Sequence, residues 1–168
     1  MSLKGIILMI LAICLGFNAP SRTKKPTDPN EAGQKVFDIL KKLDQLSPEK
    51  FARQMINIRD FHNLVKEYNI TDEQEIQNIT RITREEWKEI ALNNYKGLKW
   101  YTEDHQIDWT KIKFSKYNYK IVEKGGLEYY EGLLEFTHLQ TTHSLAITSI
   151  KTGNKIEIVG INVPVEDY

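Results

Sequence analysis

The chain has one cysteine, Cys14, so no disulfide can form within a single molecule. Secreted eukaryotic domains of this size usually staple themselves with disulfides, and that class is disfavoured. Charge of one sign is not in excess either: Lys plus Arg and Asp plus Glu both number 23, and no long single-sign block occurs. Nucleic-acid affinity rests on clustered Lys and Arg against phosphates, so nothing here recommends DNA or RNA as a partner. No apolar run reaches the roughly twenty residues that a membrane-spanning helix needs. Repeats at solenoid spacing are missing, as is any catalytic motif, metal-ligand signature or phosphate-binding loop. These residues speak to architecture and address more than to chemistry.

The address is written at the N-terminus. Lys4 gives a short positive start, and Ile6 to Leu15 is an uncharged apolar run. At about ten residues it has the length of a signal-peptide core, with small residues at Cys14 and Gly16 placing cleavage after Gly16. Residues 1–16 are therefore expected to be a signal peptide. An alternative turns on Leu11-Ala12-Ile13-Cys14, which resembles the lipobox of bacterial lipoproteins and would make Cys14 a lipidation site; Ile13 departs from the small residue that pattern prefers. A chain cut after Gly16 keeps no cysteine, which suits a bacterial exported protein, in the periplasm or cell envelope, better than a eukaryotic one. Asn69-Ile-Thr71 and Asn78-Ile-Thr80 are formal glycosylation acceptors, discounted on the same ground. Residues 17–30, broken by Pro20, Pro26 and Pro29, read as a flexible tether. Its cluster of Arg22, Lys24 and Lys25 is a solvated linker face more readily than a headgroup contact.

Residues 31–168 are enough for one domain with a proper core. Glu31 to Leu46 predicts a helix with Val36, Ile39, Leu40, Leu43 and Leu46 on one stripe. Ser47-Pro48-Glu49 opens a second helix, with Ser47 as N-cap and Pro48 at the first helical position. Its buried stripe runs Phe51, Met55, Ile58, Phe61, Val65, Tyr68. Thr71-Asp72-Glu73-Gln74 and Thr83-Arg84-Glu85-Glu86 have capping-box spacing and open two more helices. The second of these buries Trp87, Ile90, Ala91 and Tyr95 and ends at Gly97 as C-cap.

The rest reads as sheet. Lys111 to Glu123, Leu127 to His138, His143 to Lys151 and Lys155 to Val163 alternate apolar and polar residues and are rich in aromatic and β-branched types. Ile112 and Phe114 lie on one parity and Tyr117, Tyr119 and Ile121 on the other, which a bulge near Ser115–Lys116 reconciles. Gly125–Gly126, Leu139–Thr142 and Gly153–Asn154 supply turns, and connections this short force an antiparallel meander. The expected class is α+β: N-terminal helices packed on one face of a curved four-stranded antiparallel sheet.

Between helix and sheet, Leu98 to Trp109 reads as the least regular stretch of the domain. Trp100 and Trp109 bracket Glu103, Asp104 and His105, a mix that could line a ligand site; the ordinary alternative has the tryptophans plugging the join while the acids face water. Of the four histidines, His138 and His143 flank a turn, and hairpin pairing could set them opposite each other. Binding a metal there would require a third ligand such as Glu103, Asp104 or His105, which the spacing does not demand. No metal and no cofactor is implied. His62 reads as structural. Tyr117, Tyr119, Tyr129 and Tyr130 suit either cross-strand pairing or an outward aromatic contact.

Several helices followed by a curved four-stranded sheet resembles the nuclear-transport-factor-two-like or cystatin-like cone. The run Gly153-Asn154-Lys155-Ile156-Glu157-Ile158-Val159-Gly160-Ile161 is similar to the last strand of exported bacterial members. The resemblance implies a pocket between helices and concave sheet, and an open sheet face that can pair two copies into a dimer. Enzymatic members resembling ketosteroid isomerase or polyketide cyclases place an Asp and a His or Tyr in that pocket, and no position here matches them. The expectation is thus a non-enzymatic envelope domain binding a small ligand or a protein through the cone mouth or the open sheet face. Trp100, Asp104, His105, Trp109, His138 and His143 are its candidate ligand residues. The alternatives are an isomerase- or cyclase-like enzyme with a His–acid pair, and a structural assembly domain.

Overall fold

A computed structural model describes residues 28–164. The expected signal segment, Cys14 and all of the tether before Asp28 lie outside the described residues. Five helices precede four strands: α1 (Asn30–Leu40), α2 (Pro48–Ala52), α3 (Ile58–Glu67), α4 (Glu73–Thr80), α5 (Arg84–Asp104), β1 (Lys113–Lys124), β2 (Leu127–His138), β3 (Thr141–Thr152) and β4 (Lys155–Asn162). The α+β class is as expected.

The helices depart from the sequence reading at several of their ends. The first helix stops at Leu40 rather than Leu46, and Leu43–Gln45 form a single 3-10 turn that still buries Leu43. Ser47, which precedes Pro48, must be extended, and its ψ of 161° allows no helix to run through it. Its hydroxyl then caps α2 by accepting from the Lys50 N–H at 3.3 Å. The stripe from Phe51 to Tyr68 is two helices, not one. Asn57 restarts the chain as N-cap of α3, accepting from the Arg59 N–H at 2.8 Å. The break frees Ile56 to donate its N–H to the Ile158 carbonyl of β4 (2.8 Å), while its own carbonyl accepts the Trp87 indole N–H (3.0 Å). In α4 the cap is Asp72, accepting from Glu75, one residue later than Thr71. Thr83 and Glu86 form the expected capping box of α5.

Gly97 does not end α5. The helix continues to Asp104, so most of the stretch expected to be irregular is helical. A mid-helix glycine costs about 1 kcal/mol relative to alanine, and the burial of Leu98 and Tyr101 beyond it outweighs that cost.

The sheet is a meander in the order β1-β2-β3-β4. Gly125 and Gly126, at φ 57° and 84°, form the two-residue turn that only positive φ permits. The β1 ladder shifts register between Phe114 and Lys116, at the expected bulge. A second shift, which the residue pattern did not signal, leaves Val159 of β4 as an extra residue beside Thr148 and Ser149. Both bulges add local twist to the curved sheet.

One face of the sheet carries the main core, in which Tyr130, Leu134, Phe136, Leu145 and Ile147 meet α1, α2 and α5. Near the Gly125–Gly126 turn, Leu127, Tyr129 and Ile150 lie on the other parity. They join a second cluster with Phe61, Leu64, Ile79 and Trp87, where α3 and α4 sit. The two sheet edges are treated differently. The β4 edge is bonded at two points, by Ile56 on Ile158 and by Asn94, whose Oδ1 accepts the Ile161 N–H at 3.0 Å. The β1 edge is open: among the described residues, no hydrogen bond reaches its outer side.

Candidate functional site

The last turn of α5 and the β2–β3 hairpin bring together three of the four histidines. Tyr101, buried on α5, holds its hydroxyl 3.1 Å from Nδ1 of His143. His105 sits at the C-cap of the same helix, one turn on, and its ring lies 4.1 Å from that of Tyr101. Its Nδ1 is 3.3 Å from both the Tyr101 carbonyl and Asp104 Oδ2, so that nitrogen carries the proton. The His143 ring stacks on Phe136 at 5.4 Å and stands edge-on to His105 at 5.5 Å. His138 completes the group from the end of β2. Its Nε2 accepts the Asp108 backbone N–H at 3.2 Å, which leaves the neutral ring protonated on Nδ1.

These bonds define what the cluster can do. Burial, followed by the charges of His105 and His138, pushes the His143 pKa below its ordinary value, so the neutral ring is favoured. Beneath the cluster Trp109 is fully buried, packs its ring at a tilt against Phe136 at 5.5 Å and donates its indole N–H to Thr102 Oγ1 at 2.9 Å. It plugs the join between helix and sheet. Trp100 does not: it is 59% exposed on the outward side of α5. Asp104 is largely solvated beside His105. Asp108 is held down to about 2 by hydrogen bonds from Lys111 and Thr110.

His105, His138 and His143 are therefore neighbours, Trp109 lies under them, and Trp100 faces away. The two hairpin histidines are not cross-strand partners: His143 pairs with Phe136 and His138 with Thr141. Two-residue turn geometry, with Leu139 at φ 56°, sets that register, and the sequence left it ambiguous. No group of three His, Cys, Asp or Glu among the described residues is placed to hold a metal ion.

Space for a ligand lies elsewhere. Four grooves stand out among the described residues, and these histidines line none of the four. The roomiest of these four, about 660 Å³, runs between α2, the Met55–Asn57 linker and the start of α5. Its walls include Arg53, Arg59, Arg84 and Lys88 around Met55, Ile56 and Trp87. Residue spacing gave no hint of it, because its basic side chains come from three elements separated in sequence. The one available signal was arginine, present only five times in the chain.

Comparison with protein-family models, with curated proteins and with solved structures gives no match to this chain.

Proposed function

We propose that the chain is an exported, non-enzymatic domain of the bacterial cell envelope that binds a partner protein through its open sheet, in a frame of the nuclear-transport-factor-two-like or cystatin-like kind. The observation carrying this reading is the asymmetry of the sheet edges. A free edge presents a row of unpaired N–H and C=O groups that templates a further strand, and proteins usually cover or shorten such edges. Here the chain bonds β4 at two points on its outer side, through Ile56 and Asn94, yet among the described residues no hydrogen bond reaches the outer side of the twelve-residue β1. At about 3.3 Å per residue that is an edge of roughly 40 Å.

The side chains on β1 fit a docking role. Lys116, Lys120 and Lys124, which could guard the edge, instead reach across to Glu135 and Glu131 of β2 at 3.0 to 3.3 Å. Ile121 stays 57% exposed. Export is supported by the apolar run Ile6 to Leu15 behind Lys4; among the described residues no helix is long and apolar enough to cross a membrane. A catalytic reading has less support, since the one acid paired with a histidine of the cluster, Asp104, is largely solvated.

The test is site-specific photo-crosslinking in the cells of origin, with the full chain carrying the probe at Ile121 on one edge or at Glu157 on the other. A discrete adduct from Ile121 and none from Glu157 is expected. Equal labelling from both positions, or none from Ile121, would reject the β1 edge as the docking surface.

A further inference from the structure

The groove between α2 and α5 has a chemistry of its own, and the inference drawn from it does not depend on the β1 edge. Seven ion pairs between a lysine and a carboxylate tie this domain together among the described residues, and His105 sits beside Asp104 in an eighth contact. No arginine takes part. Arg53, Arg59 and Arg84 instead line one groove, joined there by Lys88, and among the described residues none of the four has a carboxylate within ion-pair distance. The one acid on that wall, Glu49, accepts the Ser47 hydroxyl at 2.7 Å and is held ionised at the start of α2. Its charge leaves a clear positive excess.

Position adds to the charge. The groove is walled by the first turns of α3 (Ile58, Arg59) and α5 (Arg84), whose N–H ends carry the positive pole of each helix. The floor is apolar, with Met55, Ile56 and Trp87 buried and Ile58 and Leu92 half-buried. The groove on the other side of the same linker differs, because Asp60, Glu67 and Glu157 line it alongside Arg53 and Lys155. Positive charge is thus concentrated on one side of the linker and balanced on the other.

Arginine is the side chain best suited to a planar, two-point grip on a carboxylate or phosphate, and a lysine supplies a point charge beside it. A volume near 660 Å³ lies within the usual range for small-molecule sites of about 300–1,000 Å³. We infer that this groove binds a small anionic amphiphile: a phosphate or carboxylate head held by Arg53, Arg59, Arg84 and Lys88, with a short apolar body laid over Met55, Ile56 and Trp87. The head can come from a lipid fragment or from a free organic acid, since both offer the same oxyanion and alkyl chain.

Isothermal titration of the full chain with dodecyl phosphate, laurate, inorganic phosphate and the neutral dodecyl maltoside tests it. The two anionic amphiphiles are expected to bind, the stronger of them naming the head, and the neutral detergent and inorganic phosphate to bind at least tenfold more weakly. Arg59→Gln and Arg84→Gln, both at exposed positions, should each weaken the anionic ligand about tenfold, the loss expected for one charge-assisted hydrogen bond. Unchanged far-ultraviolet circular dichroism would show that the variants fold. Equal affinity for dodecyl maltoside overturns the anionic head, and equal affinity for inorganic phosphate overturns the apolar body. Binding of an acidic peptide alone would make the groove a protein site, and no binding of either amphiphile would refute the inference. A failure here leaves the crosslinking result at Ile121 untouched.

Discussion

At the scale of single residues, Tyr117 shows how closely the helix layer sits on the sheet. A Cβ on Gly33 of α1 would come within 2.5 Å of the Tyr117 side chain, and a Cβ on Gly132 of β2 within 2.6 Å of its ring. Its hydroxyl is buried without a hydrogen bond of good geometry; Ser149 is near enough to interact with it, and that weak contact does not offset the burial. Burial accordingly pushes its pKa up. Removing an unsatisfied buried hydroxyl relieves a desolvation cost, so Tyr117→Phe should be neutral or stabilising by about 1 kcal/mol in urea unfolding. Gly132→Ala should destabilise by about 1–3 kcal/mol, because the Asn118 carbonyl at 2.6 Å is backbone that cannot swing aside. Neither effect was legible in the sequence, where Tyr117 was one strand tyrosine among four.

His143 offers a second residue-scale expectation. Its folded pKa lies below the ordinary 6.5, so the unfolded chain takes up the proton first. Stability from this site is full above that value and is lost as pH falls through the folded pKa. His105, His138 and Asp104 face the same cluster. Urea midpoints at about pH 7.5 and about pH 5.5 should therefore differ less in His143→Gln than in the parent chain. An identical difference in the two proteins would count against this assignment.

At the scale of elements, caps and turns were legible because they are local. Ser47-Pro48, the Thr83–Glu86 box and the Gly125–Gly126 turn each depend on residues within four positions of one another. Helix ends set by distant partners were not legible. The break at Asn57 serves a bond from Ile56 to Ile158, about a hundred residues away, and nothing near Met55 announces it. Gly97 misled for the same reason: its local signal said stop, while Leu98 and Tyr101 had a core to enter. An added Cβ at Gly97 meets nothing within 4 Å. Gly97→Ala should therefore stabilise the domain by about 1 kcal/mol in thermal or urea unfolding. A destabilised variant would mean that the helix is not continuous there.

For the whole molecule, the plan of helices first and meander second was open to reading from periodicity, because both periods run through long segments. The candidate site was half open. Three of its histidines could be named, but their neighbourhood depends on register and on the length of α5. The groove of arginines could not be named at all. Most of the chain's polar investment is structural: Glu75, buried, accepts the Tyr129 hydroxyl at 3.0 Å, and Tyr68 accepts the Gly153 N–H at 2.7 Å. Among the described residues the β1 edge and the arginine groove are left outside that structural use. Amide hydrogen exchange of the full chain, free and in the complex captured through Ile121, addresses that edge directly. The account predicts fast exchange along the outer side of β1 in the free protein and strong protection of Lys113–Lys124 in the complex, with β4 slow in both. Protection confined to β4 or the helices, with β1 unchanged, would contradict it.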